Sequence, residues 1–153
     1  MGKFKKKAAV REVLEGYSGA AGRLDIDEFM TFFTPDAEVH GVLEMFGQTG
    51  PLVGHDALRG FFGQALGGLD WLIQLNSITN INIDKGGKTA TTSLGVTESA
   101  EGVNGHIIMI GRYDDKLVLT DDGWKFSERR LTVYKFAPLS LTKAPARATK
   151  SAQ

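Results

Sequence analysis

The hydrophobic residues of this chain follow two different spacings, and the spacing changes near residue 70. In the first part, apolar side chains recur every three to four residues, which is the period of a helix with one buried face. The first such stripe consists of Val10, Val13, Leu14 and Tyr17. It predicts a helix over about residues 5–21, with Tyr17 on the buried face.

The segment after this helix predicts a second helix followed by a short strand. Phe29, Phe32 and Phe33 are spaced as the buried face of the second helix. This helix ends before Pro35, because proline cannot continue a helix and biases the residue before it towards extended geometry. Small apolar and polar residues then alternate over residues 37–41, and this alternation predicts a short strand.

A third helix is predicted over residues 55–66, and after it the period changes to two. Four long stretches then alternate as strands do: WLIQLNSITNINID, TATTSLGVTESAE, GHIIMIGRYDDKLVLT and GWKFSERRLTVYKF. Turns of hairpin length, rich in glycine, aspartate and asparagine, connect them. Helices followed by antiparallel strands predict an α+β fold, in which the helices pack on one face of a curved, mostly antiparallel sheet.

The length of 153 residues is that of one domain, which we place at residues 1–138. The tail, residues 139–153, has no apolar periodicity and is predicted to be loosely ordered. The segment GQTGPLVG, residues 47–54, predicts a loop within this domain, because three glycines and a proline do not fit a regular element. The sequence therefore gives no sign of a second domain.

Charge and composition exclude several classes of partner. Eighteen basic residues balance eighteen acidic ones, so no net field attracts nucleic acid or an anionic membrane surface. No segment approaches the roughly 20 apolar residues of a membrane span. The absence of cysteine removes thiolate chemistry and is compatible with a reducing compartment, so we predict a cytoplasmic protein.

Three stretches resemble the SnoaL-like branch of the NTF2-like superfamily: LEGYSGAAGRLDIDEFMTFFTPDAEV, GHDALRGFF and GRYDDKLVLTDDGWKFSERRL. The resemblance extends over about residues 8–136. It implies a cone-shaped fold, with three N-terminal helices in the concavity of the sheet around a deep apolar pocket. Members such as scytalone dehydratase, a dehydrochlorinase, ketosteroid isomerase and polyketide cyclases move protons on hydrophobic molecules, usually without a metal or cofactor. Other members only bind or dock.

The resemblance also shows which catalytic residues are missing. Dehydratases and dehydrochlorinases of this type use an aspartate five residues after the tyrosine of the first helix, and a histidine early in the first long strand. Gly22 stands at the aspartate position, and Asn76 or Ser77 stands at the histidine position. Neither position can supply the acid or base of that dyad, so the dehydratase mechanism is not expected here.

The isomerase subgroup suggests Tyr17, His40 and Glu44 as catalytic residues. Tyr17 matches the tyrosine that donates a hydrogen bond to an oxyanion, and the carboxylate base aligns with Gly41, next to His40. His40 faces the pocket only if a bulge interrupts the strand, because strict alternation turns it outwards. Glu44 follows among apolar residues, where burial would raise its pKa. The alternatives are a core tyrosine, an exposed histidine and an exposed glutamate.

The expected pocket is apolar. The residues predicted to line it are Phe33, Phe46, Phe62, Trp71, Ile107 and Met109. At helical spacing such residues also occur as ordinary core. Alternation lets only one of Arg129 and Arg130 face inwards, and an inward guanidinium would need a carboxylate partner or an anionic ligand.

The sequence thus predicts a cofactor-independent lyase or isomerase that acts on a small hydrophobic cyclic or aromatic molecule. The alternatives are a non-catalytic binding or interaction protein and, more remotely, the small subunit of an oxygenase. No metal site is predicted, because the three histidines offer no pair at helical i, i+4 spacing. A homodimer is predicted, because apolar residues on the convex face of such a sheet have no other cover.

Overall fold

Three helices pack against a curved, mixed sheet of six strands in the computed structural model, which describes residues 2–139. The elements are α1 (Lys3–Gly22), α2 (Ile26–Thr31), β1 (Phe33–His40), β2 (Leu52–Val53), α3 (His55–Gly67), β3 (Leu69–Ile83), β4 (Thr89–Gly102), β5 (Gly105–Thr120) and β6 (Gly123–Pro138). This arrangement confirms the predicted α+β fold. Residues 140–153 of the predicted tail lie outside the described residues.

The strands have the order β2-β1-β6-β5-β4-β3, and β1 is longer than the sequence predicted. Every neighbouring pair is antiparallel except β1 and β6, which run parallel. Pro35 lies inside β1, where the register with β6 shifts between Phe33 and Glu38. Proline has no N–H to give to the ladder, and it is tolerated there because the pairing with β6 is irregular between these two residues. The two-residue strand β2 lies in a segment that the sequence predicted as loop.

Gly41 directs the chain from the end of β1 over the open end of the sheet. Its φ is +90°, and a Cβ atom there would lie 1.8 Å from the carbonyl oxygen of Leu131. Only glycine fits both this backbone conformation and this close approach. The following short 3₁₀ turn, Leu43–Phe46, is thereby held beside β6.

Side chains of α1, α2 and the inner sheet face form the core. Tyr17 is in the middle of an aromatic cluster, with ring centroids 4.5 Å from Phe29, 5.9 Å from Phe33 and 5.7 Å from Phe126. Helix α1 packs along β3, while α3 packs on α2 and β1. Within residues 2–139, no helix has the length and hydrophobicity needed to span a membrane.

Candidate active site

A cavity of about 430 Å³ lies between the helices and the inner face of the sheet. Most of its wall is apolar, as is typical of sites for small organic ligands. Five residues predicted from the sequence contribute to the wall: Tyr17, Phe46, Phe62, Ile107 and Met109. Ile107 and Met109 face inwards on β5. His106, the residue before Ile107 on the same strand, is therefore turned outwards, and its Nε2 lies 2.8 Å from the Glu101 carboxylate on β4.

Two residues predicted to line the pocket do not reach it. Phe33 is only 1% exposed and lies in a second layer, where it packs against Tyr17 and Phe62. Trp71 lies on the other face of β3, because its neighbour Leu72 is the residue that points into the core. The indole Nε1 of Trp71 donates a hydrogen bond of 2.9 Å to Glu101. The sequence showed that these rings were apolar but not which layer or face they occupy.

His40 and Glu44 are also absent from the cavity wall. Both lie on a separate cleft at the edge of the sheet, together with Arg130. Val39 is buried, so alternation along β1 turns His40 outwards, where its Nε2 lies 3.2 Å from the Glu38 carboxylate. Glu44 is exposed on the 3₁₀ turn. The structure therefore does not bring these two residues together with Tyr17.

The sequence analysis missed Glu98, whose carboxylate is the acidic group of the cavity wall. Glu98 is on β4, and it shares the inner face with the buried residues Leu94, Val96 and Ala100. Glu98 is half-buried and lines the cavity. Burial raises the pKa of Glu98 above its usual range, and a hydrogen bond from Gln74 partly opposes this effect. A signal was available, because the two-residue period places Glu98 on the buried face.

A chain of polar side chains orients the Glu98 carboxylate. The Gln74 Nε2 donates to Glu98 Oε2 at 2.9 Å, and the Ser18 hydroxyl donates to Gln74 Oε1 at 2.7 Å. The Asn76 amide donates in turn to the Ser18 hydroxyl. Because its oxygen already accepts from Ser18, the Gln74 amide must present its N–H groups to Glu98. One carboxylate oxygen is thus held as an acceptor, while the other remains for a ligand.

Two tyrosines supply hydroxyl groups to the wall. Tyr17 and Tyr113 are both buried and both line the cavity, with ring centroids 6.4 Å apart. Burial raises the pKa of Tyr17 and raises that of Tyr113 well above its usual value, so both phenols keep their protons. A protonated phenol in an apolar wall can donate a hydrogen bond to a ligand oxygen.

Behind the tyrosines lies a buried ion pair between Arg129 and Asp115. The Arg129 Nε lies 2.9 Å from Asp115 Oδ1, and its Nη2 lies 3.3 Å from Oδ2. Thr92 donates a further hydrogen bond of 3.0 Å to the same carboxylate. Arg129 is therefore the inward member of the arginine pair, and Asp115 is the carboxylate partner that it needs. Arg130 points outwards and pairs with Glu128 at 3.3 Å.

Metal-ligating side chains are dispersed in the part of the chain that the structure describes. Between residues 2 and 139, no three histidine, aspartate or glutamate side chains are grouped as metal ligands would be. The polar side chains of the cavity wall are two phenols, one carboxyl and three amides, those of Gln64, Gln74 and Asn104. This set can donate and accept protons and hydrogen bonds around one organic ligand.

Comparisons with known proteins agree with this architecture. Residues 3–130 match the sequence model of the SnoaL-like domain. No curated protein sequence is significantly similar to the chain.

Many solved structures share the fold. A protein from Novosphingobium aromaticivorans, provisionally named an aromatic ring hydroxylase, is 25% identical, with a TM-score of 0.74 over 90% of this chain and 95% of its own. A second protein from that organism, provisionally named a scytalone dehydratase, is 22% identical, with a TM-score of 0.74 over 93% of both chains. A hexachlorocyclohexane dehydrochlorinase from Novosphingobium barchaimii is 18% identical, with a TM-score of 0.72 over 94% of this chain and 97% of its own.

Proposed function

Because the chain belongs to the SnoaL-like branch of the NTF2-like superfamily, we propose that it is a lyase or isomerase that moves a proton on a small hydrophobic cyclic or aromatic molecule. The observation that carries this proposal is the position of one carboxyl group, Glu98, in the same apolar cavity as the hydroxyl-bearing rings of Tyr17 and Tyr113. Proteins of the same fold carry dehydratase and dehydrochlorinase names, which supports acid-base chemistry as the reaction class.

Glu98 is the proposed base. Its free carboxylate oxygen takes a proton from a carbon next to a carbonyl group, and the C–H electron pair moves to the carbonyl oxygen as an enolate. A raised pKa makes a carboxylate a stronger base and a better match for proton transfer near neutral pH. Assistance of this kind typically accelerates a reaction by about 10²–10⁴-fold.

Tyr17 and Tyr113 are the proposed donors to the enolate oxygen. Phenol donors held in a dry cavity stabilise charge that develops on a ligand oxygen, and they need little reorganisation as the reaction proceeds. The neutral Glu98 then returns its proton to another carbon, which gives an isomerase. Alternatively the enolate expels a leaving group from the neighbouring carbon, which gives a lyase.

A ligand panel tests this function. Aromatic and alicyclic ketones, phenols and halides are screened for an increase in melting temperature, and each hit is then assayed for conversion. We expect Glu98→Gln and Tyr17→Phe to lose turnover of a hit, while His40→Ala, on the separate cleft, keeps it. Full turnover in Glu98→Gln would contradict the assignment of the base.

A non-catalytic ligand-binding protein is the second candidate. It is favoured by Gly22 at the aspartate position of the family dyad and by Asn76 or Ser77 at the histidine position. None of the three histidines is among the residues that line the cavity. In that case hits would bind in the cavity, and Phe62→Ala would weaken their binding, but no hit would be converted. Conversion that depends on Glu98 would exclude this alternative.

We also propose a cytoplasmic homodimer formed through the outer face of the sheet. Ile73 and Leu75 on β3 and Ile110 on β5 are 55%, 65% and 39% exposed, and β4 lies between the two strands. Exposed apolar side chains grouped on one face support a protein interface there. Light scattering of the wild type and of Leu75→Lys tests it, since the substitution should produce monomers. Cell fractionation tests the location.

A further inference from the structure

The Arg129 guanidinium lies against three aromatic rings as well as against its carboxylate partner. Its central carbon is 3.7 Å from the ring centroid of Tyr113, 4.2 Å from that of Tyr17 and 4.4 Å from that of Phe126. Asp115 occupies only the Nε and Nη2 edge of the group. Among residues 2–139 the buried Nη1 has no hydrogen-bond partner, and the guanidinium packs against the ring faces. Two of these three rings carry the hydroxyls of the cavity wall.

A cation on the face of a phenol changes what its hydroxyl can do. Negative charge on the phenol oxygen becomes more favourable, so the O–H group becomes more acidic and a stronger hydrogen-bond donor. The charge of Arg129 lowers the pKa of both tyrosines, against the larger effect of burial. Two acidic groups face this cluster. Asp115 pairs with Arg129. Glu98, on the cavity side, raises the pKa of Tyr17 and so opposes the effect of Arg129.

We propose that Arg129 is a positioning residue that acts through Tyr17 and Tyr113, so that the cavity selects a ligand oxygen that carries or develops negative charge. The ligand class is therefore a phenol or an enolisable ketone rather than a hydrocarbon or an alkyl halide. This inference rests on the proposed function and narrows its substrate.

Proton balance fits this class of ligand. A phenol enters uncharged, its O–H bond breaks, and the proton forms a new O–H bond on Glu98. The electron pair stays on the ligand oxygen, which accepts hydrogen bonds from the two tyrosines. The net charge of the cavity does not change, so the neighbouring carboxylate does not oppose the ligand anion by like-charge repulsion.

A purely structural role for the ion pair makes a different prediction. In that role Arg129 only neutralises Asp115 and packs against the rings, so replacing both partners by apolar residues would leave ligand binding intact. Such double replacements of buried ion pairs are often tolerated by the fold. The pair can therefore be removed while the cavity is kept, which allows the two roles to be separated.

The probe is 4-nitrophenol, whose ionised form has its own visible absorbance. The ionisation constant of the bound probe is measured by titration in the wild type and in Arg129→Met/Asp115→Leu. We expect the constant to fall by about tenfold in the double variant, which is about one pKa unit for the bound probe. If this variant does not fold by circular dichroism, Arg129→Gln/Asp115→Asn replaces it with the same expectation.

Three further variants identify the route of the effect. In a Tyr17→Phe/Tyr113→Phe background, removal of the ion pair should change the ionisation constant by much less, because the hydroxyls that transmit the effect are gone. Arg129→Lys keeps the cation and should retain most of the wild-type constant. Arg130→Met removes the neighbouring arginine on the outer side of β6 and should leave the constant unchanged.

An unchanged ionisation constant in the ion-pair variants would overturn the inference, as would failure of the wild type to bind 4-nitrophenol. An equal effect with and without the tyrosine hydroxyls would also overturn it, because the charge would then act directly. The proposed function fails separately, through retained turnover in Glu98→Gln. The two failures are thus distinguishable.

Discussion

The enclosed cavity and the cleft at the sheet edge contain similar side chains in very different surroundings. Each has a glutamate, Glu98 or Glu44, and adjacent residues of β6 place Arg129 behind the cavity and Arg130 at the cleft. Arg129 is buried and Glu98 is half-buried, whereas Glu44 is exposed and Arg130 is half exposed. The two arginines teach that the strand face which carries a residue, rather than the residue type, determines whether its charge is shielded from water.

The largest difference is expected between the two neighbouring arginines. Arg129→Met leaves Asp115 buried without its charged partner, so we expect the free energy of unfolding to fall by about 3–5 kcal/mol. Arg130→Met removes only an exposed pair and should cost less than about 1 kcal/mol. Urea denaturation of both variants measures the difference. Similar losses of stability in the two variants would show that burial does not make the Arg129 ion pair more important for folding than the Arg130 ion pair.

Substitutions at Tyr17 and at His40 should differ in their effect on kcat. Loss of one donor to a developing oxyanion typically lowers kcat by about 10²–10³-fold, and Tyr17→Phe should lie near the lower limit because Tyr113 remains. His40→Ala should leave kcat unchanged, since His40 lies on the other cleft. Steady-state kinetics on a substrate from the panel provide the measurement. A larger loss in His40→Ala than in Tyr17→Phe would reverse the assignment of the two sites.

Stability should depend on pH through Glu98. Its folded pKa is raised by burial, so above the unfolded pKa the folded state binds more protons than the unfolded state. The contribution of Glu98 to stability therefore falls as the pH rises from the ordinary glutamate pKa through the raised folded value. Glutamine stays uncharged and avoids this loss.

Glu98→Gln should consequently gain stability relative to the wild type as the pH rises, with the two proteins nearly equal below the ordinary glutamate pKa. Chemical denaturation at several pH values between 4 and 8 measures this difference, with about 1.4 kcal/mol expected for each tenfold change in the proton affinity of the group. A difference that does not vary with pH would show that the folded carboxyl titrates as an unfolded one.

The smallest effect is expected at the mouth of the cavity. Phe46 is 58% exposed, and its ring touches Phe61 and Phe136 at centroid distances of 5.8 and 6.3 Å. Phe46→Ala should change the free energy of unfolding by no more than about 0.5 kcal/mol. It should weaken the binding of a flat ligand by about tenfold or less. Calorimetric titration measures the affinity. Complete loss of binding would mean that Phe46 belongs to the floor of the site.

The elements that depend on local periodicity were predictable from the sequence. The stripe that includes Val10 and Tyr17 predicted α1, and the change to a two-residue period predicted the four long strands. The inward direction of Ile107 and Met109 on β5 was also predicted. Local spacing determines these features, because a helix or strand that buries one face repeats its apolar residues at that period.

The site required information that local spacing does not contain. Alternation places Glu98 on the same strand face as Leu94 and Val96, but it does not show that the rings of Tyr17 and Tyr113 line the same cavity. Phe33 and Trp71 were apolar as predicted, yet their layer and face depend on how β1 and β3 join the sheet.

The central claim is that Glu98 transfers a proton inside the cavity, and deuterium exchange tests it most directly. Bicyclic aryl ketones that bind the protein are incubated with it in D₂O, and deuterium at the carbon next to the carbonyl group is measured by NMR. We predict that the wild type and Glu44→Gln accelerate this exchange, whereas Glu98→Gln slows it by about 10²–10⁴-fold. Exchange that survives in Glu98→Gln, or disappears in Glu44→Gln, would contradict the account.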